Sequence, residues 1–361
     1  MSRRKVIVVG AGLIGAAIAF RLAQKGVAVT VIEAASPAAR ASGQTFGWIN
    51  ACFYQNPHHH QLRAQSIEAY PRLLRDARSQ AVNWQGCLWW EETGDAFDKM
   101  VQDLGDLEYP FRELGRAEFA EMSPQIAAPP ERALYFPHEG AADGSALTHD
   151  ILGAAGQLGT KIITGTPVVD FIAKGDRVSG VRTDIAEFEA DLVIVAAGTA
   201  TQGLLARLDI TVPMLTRPGL LLRTQPLAPV LNHIMISPGL EFRQERSGRI
   251  LAPTAASHQS DDSDTVTERP DVLADRAIAT LQKMLPDLSL EWQEVALAMR
   301  PVPADGLPVI GHTEREGLYV ATLHSGVTLG AIAADLVAQE IVEESTADML
   351  SPYRLSRFSA E

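Results

Sequence analysis

The sequence predicts an α/β fold with a mainly parallel, doubly wound sheet, interleaved with an α+β portion built on an antiparallel sheet. Three observations lead there. Residues Lys5 to Glu33 read as strand, glycine turn, helix, strand and acid. The run LVIVAAG, Leu192 to Gly198, repeats the β-branched character of the opening VIVVGAG, as a neighbouring strand of the same sheet would. Between residues 207 and 300 the pattern changes to alternating β segments such as GLLLRT, LEFRQE and GRILAP.

Val6 to Val9 suits a strand buried on both faces, and about a dozen small and apolar residues after it form a helix that stops at Gly26. Gly10 allows the tight turn, Gly12 lets backbone approach a pyrophosphate, and Gly15 lets the helix lie close on the strand. Leu13 and Ile14 complete that turn, and the helix start offers free N–H groups to phosphates. Val27 to Ile32 is the second strand. Glu33, with Ala34 beside it, is placed to accept hydrogen bonds from a ribose. An acid there disfavours a 2′-phosphate, so this Rossmann-type unit is expected to hold NAD or FAD rather than NADP.

The following loop, AASPAARASGQTFGWINACF, carries Arg40, Ser42, Gly43, Gln44 and Thr45, small or polar enough for close approach to phosphates and then to a flavin ring. Pro57 to Ala77 is a helix with Pro57 in its first turn. His58, His59 and His60 are adjacent on it, about 100° apart, and cannot converge on one ion, so a solvated first turn is expected and no metal. From Val82 to Pro137 aromatics concentrate, either lining a cavity or packing a smaller domain.

A helix from Ser145 to Leu158 and strands Lys161–Thr164, Val168–Lys174, Val178–Thr183 and Leu192–Ala196 follow, with a hairpin turn at Gly175-Asp176. His258 to Asp264 reads as a polar loop and Asp271 to Met284 as an amphipathic helix. A strand at Leu318–Thr322, the turn LHSGVTLG and a helix from Gly330 to about Glu343 close the chain. Nucleotide-domain segments are therefore expected at 1–45, 140–205 and 300–361, with a second domain at 46–139 and 206–299.

Length and composition agree with two domains: 361 residues, 46% hydrophobic and 21% charged. A formal charge of -13 without Lys/Arg clusters excludes a nucleic-acid partner. Cys52 and Cys87, far apart and without a C-x-x-C, imply a reducing compartment. Arg3, Arg4 and Lys5 imitate a signal peptide, but the glycines interrupt the apolar run, and no stretch reaches the roughly 18 to 20 residues of a membrane span. A cytoplasmic protein is expected.

Five stretches together resemble one family: GAGLIG with Glu33, ADGSALT, DLVIVAAG, MRPVPADGLPVIG and GLYVATLHSGVTLGAIAADLVAQEI. They are similar to the D-amino acid oxidase family of flavoproteins, which includes glycine oxidase and sarcosine oxidase. The resemblance implies a Rossmann-type FAD-binding domain with an interleaved α+β substrate domain. It also implies FAD and oxidation of the C–N bond of an amino acid or amine to an imine. It carries cofactor contacts to Val168, to Ala196, Ala197 and Gly198, and to the turn residues Ser325, Gly326, Val327, Thr328 and Leu329. In the family that turn faces the flavin pyrimidine edge.

By the same resemblance Arg300 pairs with the substrate carboxylate, and a planar guanidinium suits that task. His324 and Arg243 are the other candidate site residues, Arg243 as a binder of a second carboxylate. The chain departs from the pattern at Leu323, where many members have glycine. It also lacks an evident active-site tyrosine near Phe242, and has no cysteine in the C-terminal turn, so FAD is expected to be non-covalent. No side-chain base is nominated. In GRILAP, where sarcosine oxidase-like members place a lysine, Arg249 is the only charge, which predicts slow or moderate use of O₂. A small-molecule amine or amino acid is the expected partner, and a homo-oligomer is compatible with the sequence. Two rivals stand beside this reading: an NAD-dependent oxidoreductase, and a non-catalytic or partner-dependent FAD subunit of an amine dehydrogenase complex.

Overall fold

The computed structural model describes residues 4–254 and 264–358. Most of the expected polar loop His258 to Asp264 lies outside them. A six-stranded sheet runs in the order Val309–His312, Leu318–Thr322, Leu192–Val195, Lys5–Val9, Ala28–Ile32, Lys161–Ile163. Its pairs are parallel except the one between Val309–His312 and Leu318–Thr322. Alternation explains why its strands read as continuous apolar runs. Val6 and Val8 join the core beneath the helices, whereas Ile7 and Val9 join a core on the opposite face.

On the helical face lie Leu13–Gln24, Gly144–Gln157 and Gly326–Glu343. The helix Pro57–Ala77, expected to belong with the second domain, packs on Gly326–Glu343, and its Leu62, Tyr70 and Leu73 share the same core. The opposite face is covered by a small antiparallel sheet of Val168–Lys174, Arg177–Thr183 and Glu187–Glu189, joined by the expected hairpin at Gly175-Asp176.

The alternating segments form an eight-stranded sheet from residues 87–136 and 218–299. It is antiparallel apart from one parallel pair, Ile234–Ser237 on Cys87–Trp89. Trp89, Phe97, Tyr109 and Phe136 fill one core of this region, which settles the aromatic stretch in favour of packing.

Glu340, near the end of the last helix, is 2% exposed. Its carboxylate accepts from Tyr319 Oη at 2.6 Å, Ala347 N at 2.7 Å and Arg354, with Arg354 Nη1 at 3.0 Å. Burial pushes its pKa up, but the hydrogen bonds from Arg354, Tyr319 and Ala347 outweigh that and hold it below the ordinary carboxylate range. The pair's contribution is therefore present above the unfolded carboxylate pKa and is lost as pH falls through the lower folded value. Arg354→Met is expected to cost about 3–5 kcal/mol at neutral pH, because it strands a buried carboxylate. Urea unfolding at pH 7 and pH 4 checks this, and the deficit should shrink at the lower pH.

Candidate active site

The principal cavity, about 660 Å³, opens at the C-terminal ends of three adjacent parallel strands. The residues following them, Gly10–Gly12, Ala196–Gly198 and Leu323–Ser325, line it or lie at its wall. This is where the strand order turns outward, the usual ligand position in such sheets.

The glycine turn is fixed by packing at two positions and by ligand room at the third. Gly10 has φ +106°, and a Cβ there would lie 2.5 Å from the Ala196 carbonyl oxygen. At Gly15 a Cβ would come within 2.0 Å of the Gly10 carbonyl oxygen. Gly12 is different: its φ is an ordinary −74°, and a Cβ would meet only Ser42 Oγ, at 3.1 Å. It faces the cavity and precedes the helix, where Leu13 N donates to Ser42 Oγ at 3.0 Å.

Glu33 also lines the cavity, and its carboxylate accepts from Ala11 N at 2.7 Å and Ala35 N at 2.9 Å. Each carboxylate oxygen keeps further acceptor capacity for a ribose hydroxyl. The 40–47 loop is tied down across the chain: Arg223 donates to Gly43 O at 3.1 Å and Gln44 Oε1 at 2.9 Å. Ile14, Ala34, Arg40, Ser42, Gln44, Thr45 and Val168 all line the cavity. Gly15, Gly43 and Leu329 do not. Gly43 serves packing, since a Cβ there would meet Ala38 O at 2.4 Å, and Leu329 is a core residue of the last helix.

That helix begins at Gly326, a turn earlier than the sequence pattern indicates. Ser325, with φ +55°, turns the chain sharply, so Gly326 to Leu329 form the first helical turn and not a separate loop. Ser325 supplies no side-chain cap, and the N–H groups of that turn point toward the cavity end. His324 lines the same wall, its Nδ1 3.4 Å from Ser325 Oγ.

Another part of the lining comes from the eight-stranded sheet and the two residues after its Trp292–Met299 strand: Pro218 to Leu221, Pro253 and Ala298 to Pro301. Arg300 is half-buried there, and its Nη2 donates to Pro218 O at 3.4 Å. Arg243 does not reach the cavity. It is 4% exposed, donates from Nε to Phe46 O at 2.5 Å and from Nη2 to Ala142 O at 3.1 Å, and lies 3.6 Å from Glu245. Its role is to clamp two distant loops together, which corrects its placement as a carboxylate binder. Arg249 is likewise outside the lining.

The histidines require a second correction. His59 and His60 are each 5% exposed. Gln55 N donates to His59 Nδ1, and His60 Nδ1 contacts Ala51 O at 2.9 Å between Tyr54 and Tyr109. Burial, with Arg63 and His60 adding repulsion, pushes the His59 pKa down to about 3, so it is neutral near pH 7. Among the described residues no group of three or more His, Cys, Asp or Glu could hold a metal ion.

Sequence reasoning missed Asn50 and Arg63, both of which line the cavity. The signal was present in the helix Pro57–Ala77. His59, Arg63, Ser66 and Tyr70 follow each other at helical spacing and are all buried.

With this geometry, the family can be assigned. A family model described as FAD-dependent oxidoreductase (DAO) matches residues 5–340. The chain belongs to the DAO family of FAD-dependent oxidoreductases. It is 27% identical to glycine oxidase of Geobacillus kaustophilus over 98% of this chain and 97% of that one. The crystal structure of that enzyme superimposes with a TM-score of 0.86 at 25% identity, covering 99% of both chains. One of the subunits of opine oxidase from Rhizobium meliloti is 26% identical over 98% of this chain and 97% of the relative. L-proline dehydrogenase from P. horikoshii shares the fold, with a TM-score of 0.87 at 20% identity over 99% of this chain and 98% of that one.

The residues present fit FAD. The cavity is within the usual range of about 300–1,000 Å³ for ligand sites, the room above Gly12 suits a pyrophosphate, and the uncapped helix at Ser325 suits an electron-rich ring edge. No cysteine lines the cavity, and Cys52 and Cys87 are both buried elsewhere. A covalent thioether has no donor there.

Proposed function

We propose that this DAO-family enzyme oxidises the C–N bond of an amino acid or secondary amine that carries a carboxylate, with Arg300 as the carboxylate anchor. The observation behind it is that Arg300 lines the same cavity as the glycine turn, with apolar Leu220, Leu221, Pro253 and Met299 also in the lining. FAD, when bound, takes up the two electrons released from the substrate C–N unit. Gly12 and the helix after it hold the pyrophosphate, Glu33 the ribose, and the first turn of the Gly326–Glu343 helix the ring edge. Arg300 fixes the substrate's orientation through two parallel hydrogen bonds, and the apolar wall excludes water from the reacting carbon. In this reading residues 4–45, 140–205 and 300–358, with Trp48–Asn50 and the helix Pro57–Ala77 packed against them, hold the cofactor, and the eight-stranded sheet shapes the substrate side.

Anaerobic bleaching of the bound flavin by a panel of D-, L- and N-methyl amino acids, each beside its decarboxylated amine, tests the proposal. Faster bleaching by the carboxylated members is expected, and equal bleaching by the amines would defeat it. A partner-dependent component of a larger enzyme is the second reading, favoured by the opine oxidase relative, which is itself named as a subunit. In that case no member of the panel bleaches the isolated chain.

Among the described residues no lysine lines the cavity. Oxygen reduction passes through a superoxide-like anion that a nearby cation stabilises, and the arginines that line the cavity, Arg40, Arg63 and Arg300, are taken up by the cofactor and by the substrate carboxylate in this reading. Substrate-reduced enzyme is therefore expected to be reoxidised more slowly by air-saturated buffer than by an artificial dye. Stopped-flow traces with stoichiometric peroxide and fast oxygen reoxidation would restore a plain oxidase.

A further inference from the structure

Arg63 is the cation that the established chemistry leaves unused. It lines the cavity while only 3% exposed. Its Nε donates to Asn50 O at 3.0 Å and its Nη2 to Asn50 Oδ1 at 2.5 Å, both neutral acceptors. Among the described residues it forms no ion pair. The acid that faces it, Glu139, is spoken for by Trp48 Nε1 at 2.8 Å, Tyr109 Oη at 2.8 Å and Ala51 N at 3.3 Å. Burial raises the Glu139 pKa to about 7, so near neutral pH it is only partly charged. A buried ion without a full counter-charge costs several kcal/mol, and such a cation facing a cavity is satisfied by an anionic occupant.

Its location along the cavity follows from a chain of hydrogen bonds. Asn50 N donates to Thr328 Oγ1 at 3.4 Å, and Thr328 Oγ1 donates to Trp48 O at 3.1 Å. The Trp48–Asn50 segment, and with it the guanidinium, is thereby stitched to the first turn of the Gly326–Glu343 helix. That turn carries uncapped N–H groups and no acidic residue. Arg63 and the helix start are two independent sources of positive potential at one corner.

We propose that Arg63 is a positioning residue that, with the N–H groups of this helical turn, holds the negative charge the flavin pyrimidine edge acquires on two-electron reduction. The proposal rests on FAD occupying the cavity and not on the identity of the substrate, so it survives or fails independently of the Arg300 reading. Its consequence is a more positive flavin potential and tighter binding of sulfite, which places the same charge on the ring.

The test uses the purified holoenzyme beside Arg63→Met and Arg63→Lys. Midpoint potential is read by anaerobic equilibration with a reference dye, and sulfite affinity by bleaching. Arg63→Met is expected to weaken sulfite at least about tenfold and to move the potential negative by about 30 mV per tenfold. Arg63→Lys, which keeps the charge, is expected to stay within about threefold of the native protein on the same conversion. An Arg63→Met protein that holds FAD with unchanged potential overturns the proposal. A lysine variant that loses as much as the methionine variant does so too, because charge would not be what matters. Should Arg63→Met lose its flavin, Arg63→Gln is read in its place. Loss of FAD from both neutral variants would show that Arg63 retains the oxidised cofactor, which also overturns the redox role. A rise in KM confined to carboxylated substrates, with the potential unmoved, would hand Arg63 to the substrate instead.

Discussion

Gly12→Val is expected to give a folded, colourless protein. Of the three glycines in the turn it is the one whose substitution separates cofactor binding from folding. A Cβ at Gly10 or Gly15 would enter backbone, at 2.5 Å and 2.0 Å from carbonyl oxygens, so those variants should misfold. At Gly12 the backbone angles suit any residue, and the nearest protein atom is a serine hydroxyl that can turn away. The valine methyl groups instead occupy the space in front of the helix start, where the pyrophosphate would sit. Two charge-assisted hydrogen bonds lost, at about 1.5–3 kcal/mol each, amount to roughly two to four decades in FAD affinity. The absorbance near 450 nm per mole of purified protein reads the result, with circular dichroism as the folding control. Stoichiometric flavin in a folded Gly12→Val protein would refute the pyrophosphate assignment.

For Arg300→Ala the expected loss is in kcat/KM for carboxylated substrates, by about 2–4 kcal/mol, which is roughly 30- to 1,000-fold. The guanidinium is half-buried beside Pro218, and its removal leaves a substrate carboxylate desolvated without a partner. Amines lacking the carboxylate should be turned over as before, and flavin content should not change. Arg300→Lys is expected to recover only part of the loss, since an ammonium cannot supply two parallel bonds in one plane. Equal losses on carboxylated and decarboxylated substrates would show that Arg300 supports the wall rather than the substrate.

The parts of this site that were legible in the sequence are those whose requirement is local. A glycine turn between a β-branched strand and a small-residue helix encodes its own φ angles and its own clearance, so Gly10, Gly12, Gly15 and Glu33 could be read within a span of 29 residues. LVIVAAG could be matched to the same sheet because a strand covered on both faces must be apolar throughout, and it pairs in parallel with Lys5–Val9. The helix Pro57–Ala77 matched to the residue, since Asn56, Pro57 and the apolar spacing are neighbours in the chain.

What only the tertiary structure decided was which charges meet the cavity. Arg63 lies between Leu62 and Ala64 and Arg243 between Phe242 and Gln244, and these adjacent residues do not tell which of the two meets the cavity. Arg243 is drawn away by the carbonyls of Phe46 and Ala142, which lie 197 and 101 residues distant. Arg63 is turned inward by Asn50, and Asn50 is placed by Thr328, 278 residues further along. The histidines beside it are buried for the same reason, because other segments close over them. Local backbone geometry is set by neighbours in sequence, whereas the partner of a buried charge is set by the register of segments that come together only in the folded chain.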